Sequence, residues 1–124
     1  MKKIFFLCFL FTATVVLMPS CRHSSDLPEL PEIKFSTDVQ SILVGNCTQG
    51  GCHGSGSDHR QFSLVSYDDV INSGTIDKGN AHNSKLFQAI TGRNSIMPKA
   101  PQTPLTDLEI SLIYVWINQG AKNN

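Results

Sequence analysis

Cys47-Thr48-Gln49-Gly50-Gly51-Cys52-His53-Gly54 places two thiols a short loop apart, with an imidazole directly after the second. Covalent haem attachment asks for this adjacency, since paired thiols can form thioethers with the porphyrin vinyl groups while the next residue offers nitrogen to the iron. The usual motif has two residues between the cysteines, and this one has four. The Cys52-His53 pair is intact, so the longer loop has only to let Cys47 reach the far vinyl group. Gly50 and Gly51 supply the freedom for that bulge, because glycine takes positive φ without steric cost. A local Cys47–Cys52 disulfide is the competing reading, and it would leave His53 an ordinary polar residue.

Upstream, residues 1–20 read as an export signal of lipoprotein type. Lys2 and Lys3 precede an apolar run from Ile4 to Met18, which is shorter than the roughly 20 residues a membrane span needs. Pro19-Ser20-Cys21 comes next, with Cys21 placed as a lipidation site; a plain secreted protein and an uncleaved anchor are the alternatives. Cys8 would leave with the signal, so the mature thiols would be Cys47 and Cys52. In an oxidising compartment such thiols end as a disulfide, on a metal or on a haem. These features predict a periplasmic or cell-envelope protein held to a membrane by its lipid.

Residues 21–34 contain Leu27-Pro28-Glu29-Leu30-Pro31-Glu32 and read as an extended tether, with His23 as a solvated linker residue. Residues 35–124 remain for one small domain. Removing Lys2 and Lys3 leaves eight basic residues against ten acidic ones. That balance, with no basic run, excludes a nucleic-acid partner.

Within the domain the pattern is helical. Phe35, Val39, Ile42 and Leu43 fall at i, i+4, i+7 and i+8, which predicts a helix capped at Ser36 or Thr37 and ended by Gly45-Asn46. Ser66 to Ile71 predicts a short helix with Ser66 as its cap and acidic residues in its first turn. Another is expected from Ser84 to Thr91, closed by Gly92. Thr106-Asp107-Leu108-Glu109 is a capping box that opens a last helix running to about Gln119. That helix is apolar over much of its circumference, which predicts two packed sides: the first helix and a haem edge, with Trp116 a core aromatic or one packed on the haem. No segment alternates with period two, so the fold class is all-α, with four or five short helices.

An iron held by His53 has a sixth position to fill. Met97, in Ser95-Ile96-Met97-Pro98, is the one methionine outside the expected signal. Pro98 biases it toward extended backbone, and Pro101 and Pro104 stiffen the rest of the loop. Met97 as core filler is the plain alternative. His82 and His59 are the rival ligands; His82 lies in a polar loop and His59 is only six residues from His53.

These segments together resemble a small monohaem cytochrome c, similar to the cytochrome c domains of bacterial lipoproteins and of the planctomycete-type family. The resemblance runs from about Phe35 to Lys122. It rests on Asp38 to Leu43, Cys47 to Gly54, Leu64 to Tyr67, Gly79-Asn80 with Ser84 to Leu86, Met97-Pro98, and Leu105 to Glu109 through Trp116 to Ala121. It implies a cytochrome c-like fold around one covalent haem c, attached at Cys47 and Cys52, with His53 and Met97 on the iron. It also implies electron transfer to redox partner proteins outside the cytoplasm, rather than enzymatic turnover. A haem peroxidase or gas sensor with labile Met97 is an alternative, and a zinc-binding lipoprotein module a more distant one, since structural zinc wants four ligands from two close-spaced pairs.

Overall fold

The structure is a computed structural model that describes residues 30–56, 62–92 and 97–124. The expected signal, Cys21, His23, most of the tether and His59 lie outside the described residues. Pro31–Asn124 form one compact unit. Its elements are a π-helical turn Phe35–Val39 leading into helix α1 (Gln40–Cys47), a 3-10 turn Gln49–Gly51, α2 (Tyr67–Asn72), a 3-10 turn Ala81–Asn83, α3 (Lys85–Thr91) and α4 (Asp107–Asn118). Among the described residues there is no strand, so the domain is all-α. Among the same residues no helix is long and apolar enough to cross a membrane.

The first apolar stripe is buried as its spacing predicts: Phe35, Val39, Ile42 and Leu43 are all in the core. Each such side chain contributes roughly 1.5–3 kcal/mol relative to an exposed one. The start of the helical run differs from expectation, because neither Ser36 nor Thr37 caps it. Phe35 must enter the core at the first turn, and long-range groups take the open amides. Asn124 accepts from the Phe35 amide through Oδ1 (2.9 Å) and from the Ser36 amide through its carbonyl (3.0 Å). Asp38 Oδ2 accepts from the Lys34 amide at 2.8 Å.

The end differs too. Helix α1 passes through Gly45-Asn46 and stops at Cys47. Side chains bond back to its carbonyls: Asn46 Nδ2 to Ile42 O (2.9 Å), Thr48 Oγ1 to Val44 O (2.7 Å) and Gln49 Nε2 to Gly45 O (3.5 Å). The Thr48 and Gln49 bonds occupy acceptors that a helix end otherwise leaves open.

Both later caps form as the sequence predicts. Ser66 Oγ accepts from the Asp69 amide at 3.1 Å while Asp69 Oδ2 accepts from the Ser66 amide at 3.0 Å. Thr106 Oγ1 accepts from the Glu109 amide at 3.3 Å, and Glu109 Oε2 accepts from the Thr106 amide at 2.7 Å. Each capping box satisfies two open donors at once.

Helix α4 buries Ile113, Trp116 and Ile117 and leaves Leu108 exposed. It packs on the π-helical turn and on α3. Trp116 is wholly buried, with its ring 5.4 Å from that of Phe35 and its indole N–H donating to Lys122 O. Phe35 also meets Tyr67 edge-on at 5.2 Å. The aromatic cluster therefore lies in the packing between elements.

Residues 31–33 lie against the far end of α4. Ile33 donates its amide to Gln119 Oε1, Gln119 Nε2 donates to Pro31 O, and Glu32 pairs with Lys122 at 2.7 Å.

Candidate functional site

Helix α1 ends on Cys47, which its packed stripe carries to 7 % exposure. The chain then turns sharply. Gly50 and Gly51 adopt φ of +49° and +81°, the left-handed conformations that the extended loop requires. The Cys52 amide donates to Gln49 O at 3.0 Å, and the His53 amide to Cys47 O at 2.8 Å. That last bond folds the loop back on itself, so His53 lies beside the residue that opened it. Gly54 runs so close to the Thr48 carbonyl that a Cβ there would sit 2.9 Å from its oxygen. A side chain at position 54 would push the loop open.

The His53 ring is held twice. Its Nδ1 lies 3.4 Å from Phe62 O, and its face stacks on the Phe62 ring at 4.7 Å and 16°. With the proton on Nδ1, as donation to a carbonyl requires, Nε2 keeps its lone pair.

Another part of the site is a loop. The Met97 amide donates to Ala89 O at 2.8 Å, anchoring the loop to α3. Met97 is half-buried and packs against the core, as its plain reading predicts. It also lines a cleft of about 440 Å³ together with Asn46, Cys47, Cys52, His53 and the segment from Pro98 to Gln102. The volume lies within the roughly 300–1,000 Å³ usual for small-molecule and cofactor sites. Cys47, Cys52, His53 and Met97 are thus brought to one cleft, as the reading of the sequence proposes. No residue of α4 lines that cleft, and Trp116 stands as the core aromatic of its plainer reading. The indole is taken up by Phe35 and the Lys122 carbonyl instead.

Cys47 and Cys52 stand as thiols rather than a disulfide. Burial pushes the Cys47 thiol up to about 11, with the neighbouring Cys52 and Glu109 adding to the rise. Glu109 is itself held below the usual carboxylate range, mainly by the amide and hydroxyl of Thr106. Its Oε1 accepts from Asn46 Nδ2 at 3.3 Å, so the start of α4 is tied to the residue before Cys47. Sequence reasoning passed over Asn46, Phe62 and Glu109. Only the capping box marked Glu109, and nothing local marks Phe62.

His82 is exposed and meets Phe87 and Tyr114 edge-on at 5.5 and 5.4 Å. It does not line the cleft. Among the described residues no group of three His, Cys, Asp or Glu side chains could hold a metal ion, so the zinc alternative lacks a donor set there.

Residues 50–101, which include Cys52, His53 and Met97, match the family described as planctomycete cytochrome C. That match supports a cytochrome c-type domain. No curated protein and no solved structure matches it. A cytochrome c domain implies haem c and the transfer of electrons. The donor set fits that group: two thiols, an imidazole with Nε2 available, and a thioether share a partly apolar cleft.

Proposed function

We propose that this protein is an extracytoplasmic electron carrier with one haem c, bound covalently through Cys47 and Cys52 and ligated by His53 and Met97. The observation that carries the reading is the meeting of these four side chains on one cleft, although they come from a helix end, a glycine turn and a distant loop. Haem iron supplies a one-electron couple whose two states can share the same ligands.

The residues divide the work. His53 offers Nε2 while Phe62 O engages Nδ1. Met97 offers a neutral, soft sulfur, which favours the reduced state and raises the potential. Cys47 is buried at a helix end, so its thioether would tether the group to the most rigid part of the site. Pro98, Ala100 and Pro101 line the cleft beside Met97 with apolar surface and help exclude water.

Export by the leader and acylation of Cys21 belong to the same proposal. They would hold the carrier in the periplasm or cell envelope, on a membrane and near its redox partner proteins. The domain is a carrier rather than an enzyme.

The test is the full chain produced in a host competent in cytochrome maturation. One haem per chain, two thioethers by pyridine haemochrome and mass, and a low-spin spectrum are expected. Met97→Ala should keep the haem, turn it high-spin and open it to carbon monoxide. Colourless protein, or a Met97→Ala spectrum identical to the parent, would overturn the reading.

A further inference from the structure

The imidazole of an axial histidine can rotate about its bond to the metal unless something fixes its plane. A hydrogen bond from the far ring nitrogen usually does so. Here that contact is long, at 3.4 Å between Nδ1 and Phe62 O, beyond the ordinary range for N–H···O bonds. It holds the tautomer better than the rotation. The same residue makes a second contact: the Phe62 ring lies nearly parallel to the imidazole, 4.7 Å away and tilted by only 16°. A parallel face blocks rotation in both directions, because turning the imidazole drives its edge into the ring.

Phe62 is itself well placed to act as a stop. It is partly buried and packs against the hydrophobic core. Two residues on, the Leu64 amide donates to His53 O at 2.8 Å and Leu64 is buried, so the two backbone segments are tied together.

We infer that Phe62 is a positioning residue for His53, its ring fixing the imidazole plane and its carbonyl the tautomer. The inference rests on the assignment of His53 as an iron ligand. It extends that assignment, because the plane of an axial imidazole decides how unpaired spin spreads over a low-spin ferric haem. Phe62 would thereby set the electronic asymmetry of the site without touching the iron.

The experiment compares full-length, haem-loaded Phe62→Leu and Phe62→Tyr proteins with the parent by proton NMR of the ferric state. Leucine keeps the carbonyl and apolar bulk but lacks the flat face, whereas tyrosine keeps both. The Leu variant should lose the parental order and spread of the haem-methyl shifts, and the Tyr variant should retain them. Unchanged shifts in the Leu protein, or equal displacement in both variants, would overturn the inference. If the Leu protein does not accumulate, nuclear Overhauser contacts between the two rings in the parent decide the matter: their presence supports the stacking and their absence refutes it. Haem content is measured on the same samples. A parent without haem defeats the assignment of His53, whereas a haem-loaded parent with insensitive shifts defeats only the role of Phe62.

Discussion

The two walls of the cleft are built in different ways. Cys47 ends a helix whose buried stripe includes Val39 and Leu43, both wholly excluded from solvent. Met97 sits in a loop tied to α3, among the described residues, by the main-chain bond to Ala89. The first wall cannot shift without disturbing the core. The second can move by local rearrangement, which costs far less. A covalent tether suits the rigid wall and a weak, exchangeable ligand the adjustable one. On the proposed ligation, permanence and tunability would fall to different walls of one site.

The severest way to break that comparison is to remove His53, which follows the rigid wall and shares the cleft with the loop. His53→Ala should reduce recovered low-spin protein by more than the roughly 10–100-fold that loss of an outer-shell partner costs a metal site. Haem content per chain is the measurement. If His53→Ala were as well loaded and as low-spin as the parent, neither wall would have its assigned role.

Next in size is a test of the rigid wall. Leu43→Ala should cost about 2–5 kcal/mol, the usual range for a buried leucine. Thermal or denaturant unfolding should register it as a loss of stability. A cost near zero would mean that Cys47 does not owe its position to the core.

A smaller effect is expected where α4 meets the cleft. Thr106→Ala removes the hydroxyl of the capping box and should cost about 1 kcal/mol. For a domain of this size that is a fall of about 4–8 °C in Tm. It also frees Glu109, which otherwise reaches Asn46 beside Cys47.

The least effect is the pH dependence. Asp69 and Glu109 both have folded values below the ordinary carboxylate range, from hydrogen bonds in the capping boxes. Groups so lowered stabilise the fold above their unfolded values and lose that contribution as pH falls through the folded ones. Glu109→Gln should therefore flatten the acid limb of the unfolding curve. The change is modest because the carboxylate is solvent-screened. An unaltered acid limb would remove Glu109 from the account.

Much of this was legible in residues of local meaning. The stripe from Phe35 to Leu43, the boxes at Ser66 and Thr106, and the positive φ at Gly50 and Gly51 all follow from short-range rules. So does the singling out of Cys47, Cys52, His53 and Met97 by residue type. The features that escaped depend on distant chain. Asn124 replaces Ser36 or Thr37 at the start of the helical run because the fold brings residues 89 positions apart together. The extension of α1 through Gly45-Asn46 relies on side chains beyond the expected end. Trp116 chose Phe35 over the cleft, since an apolar helix declares that it is buried but not against what. Phe62 acts partly through its carbonyl, which every residue possesses.

One remaining feature is the clasp between residues 31–36 and the last turns of the chain. Pro31, Glu32, Ile33, Phe35 and Ser36 all meet Gln119, Lys122 or Asn124. None of these residues lines the cleft. A load on this clasp falls on residues 119–124 and, through the Lys122 carbonyl, on the buried Trp116, not on the sulfur and nitrogen donors. The domain has a strain relief where residues 31–36 meet its last turns, like the collar on a cable, and the donor side keeps its geometry independently of it.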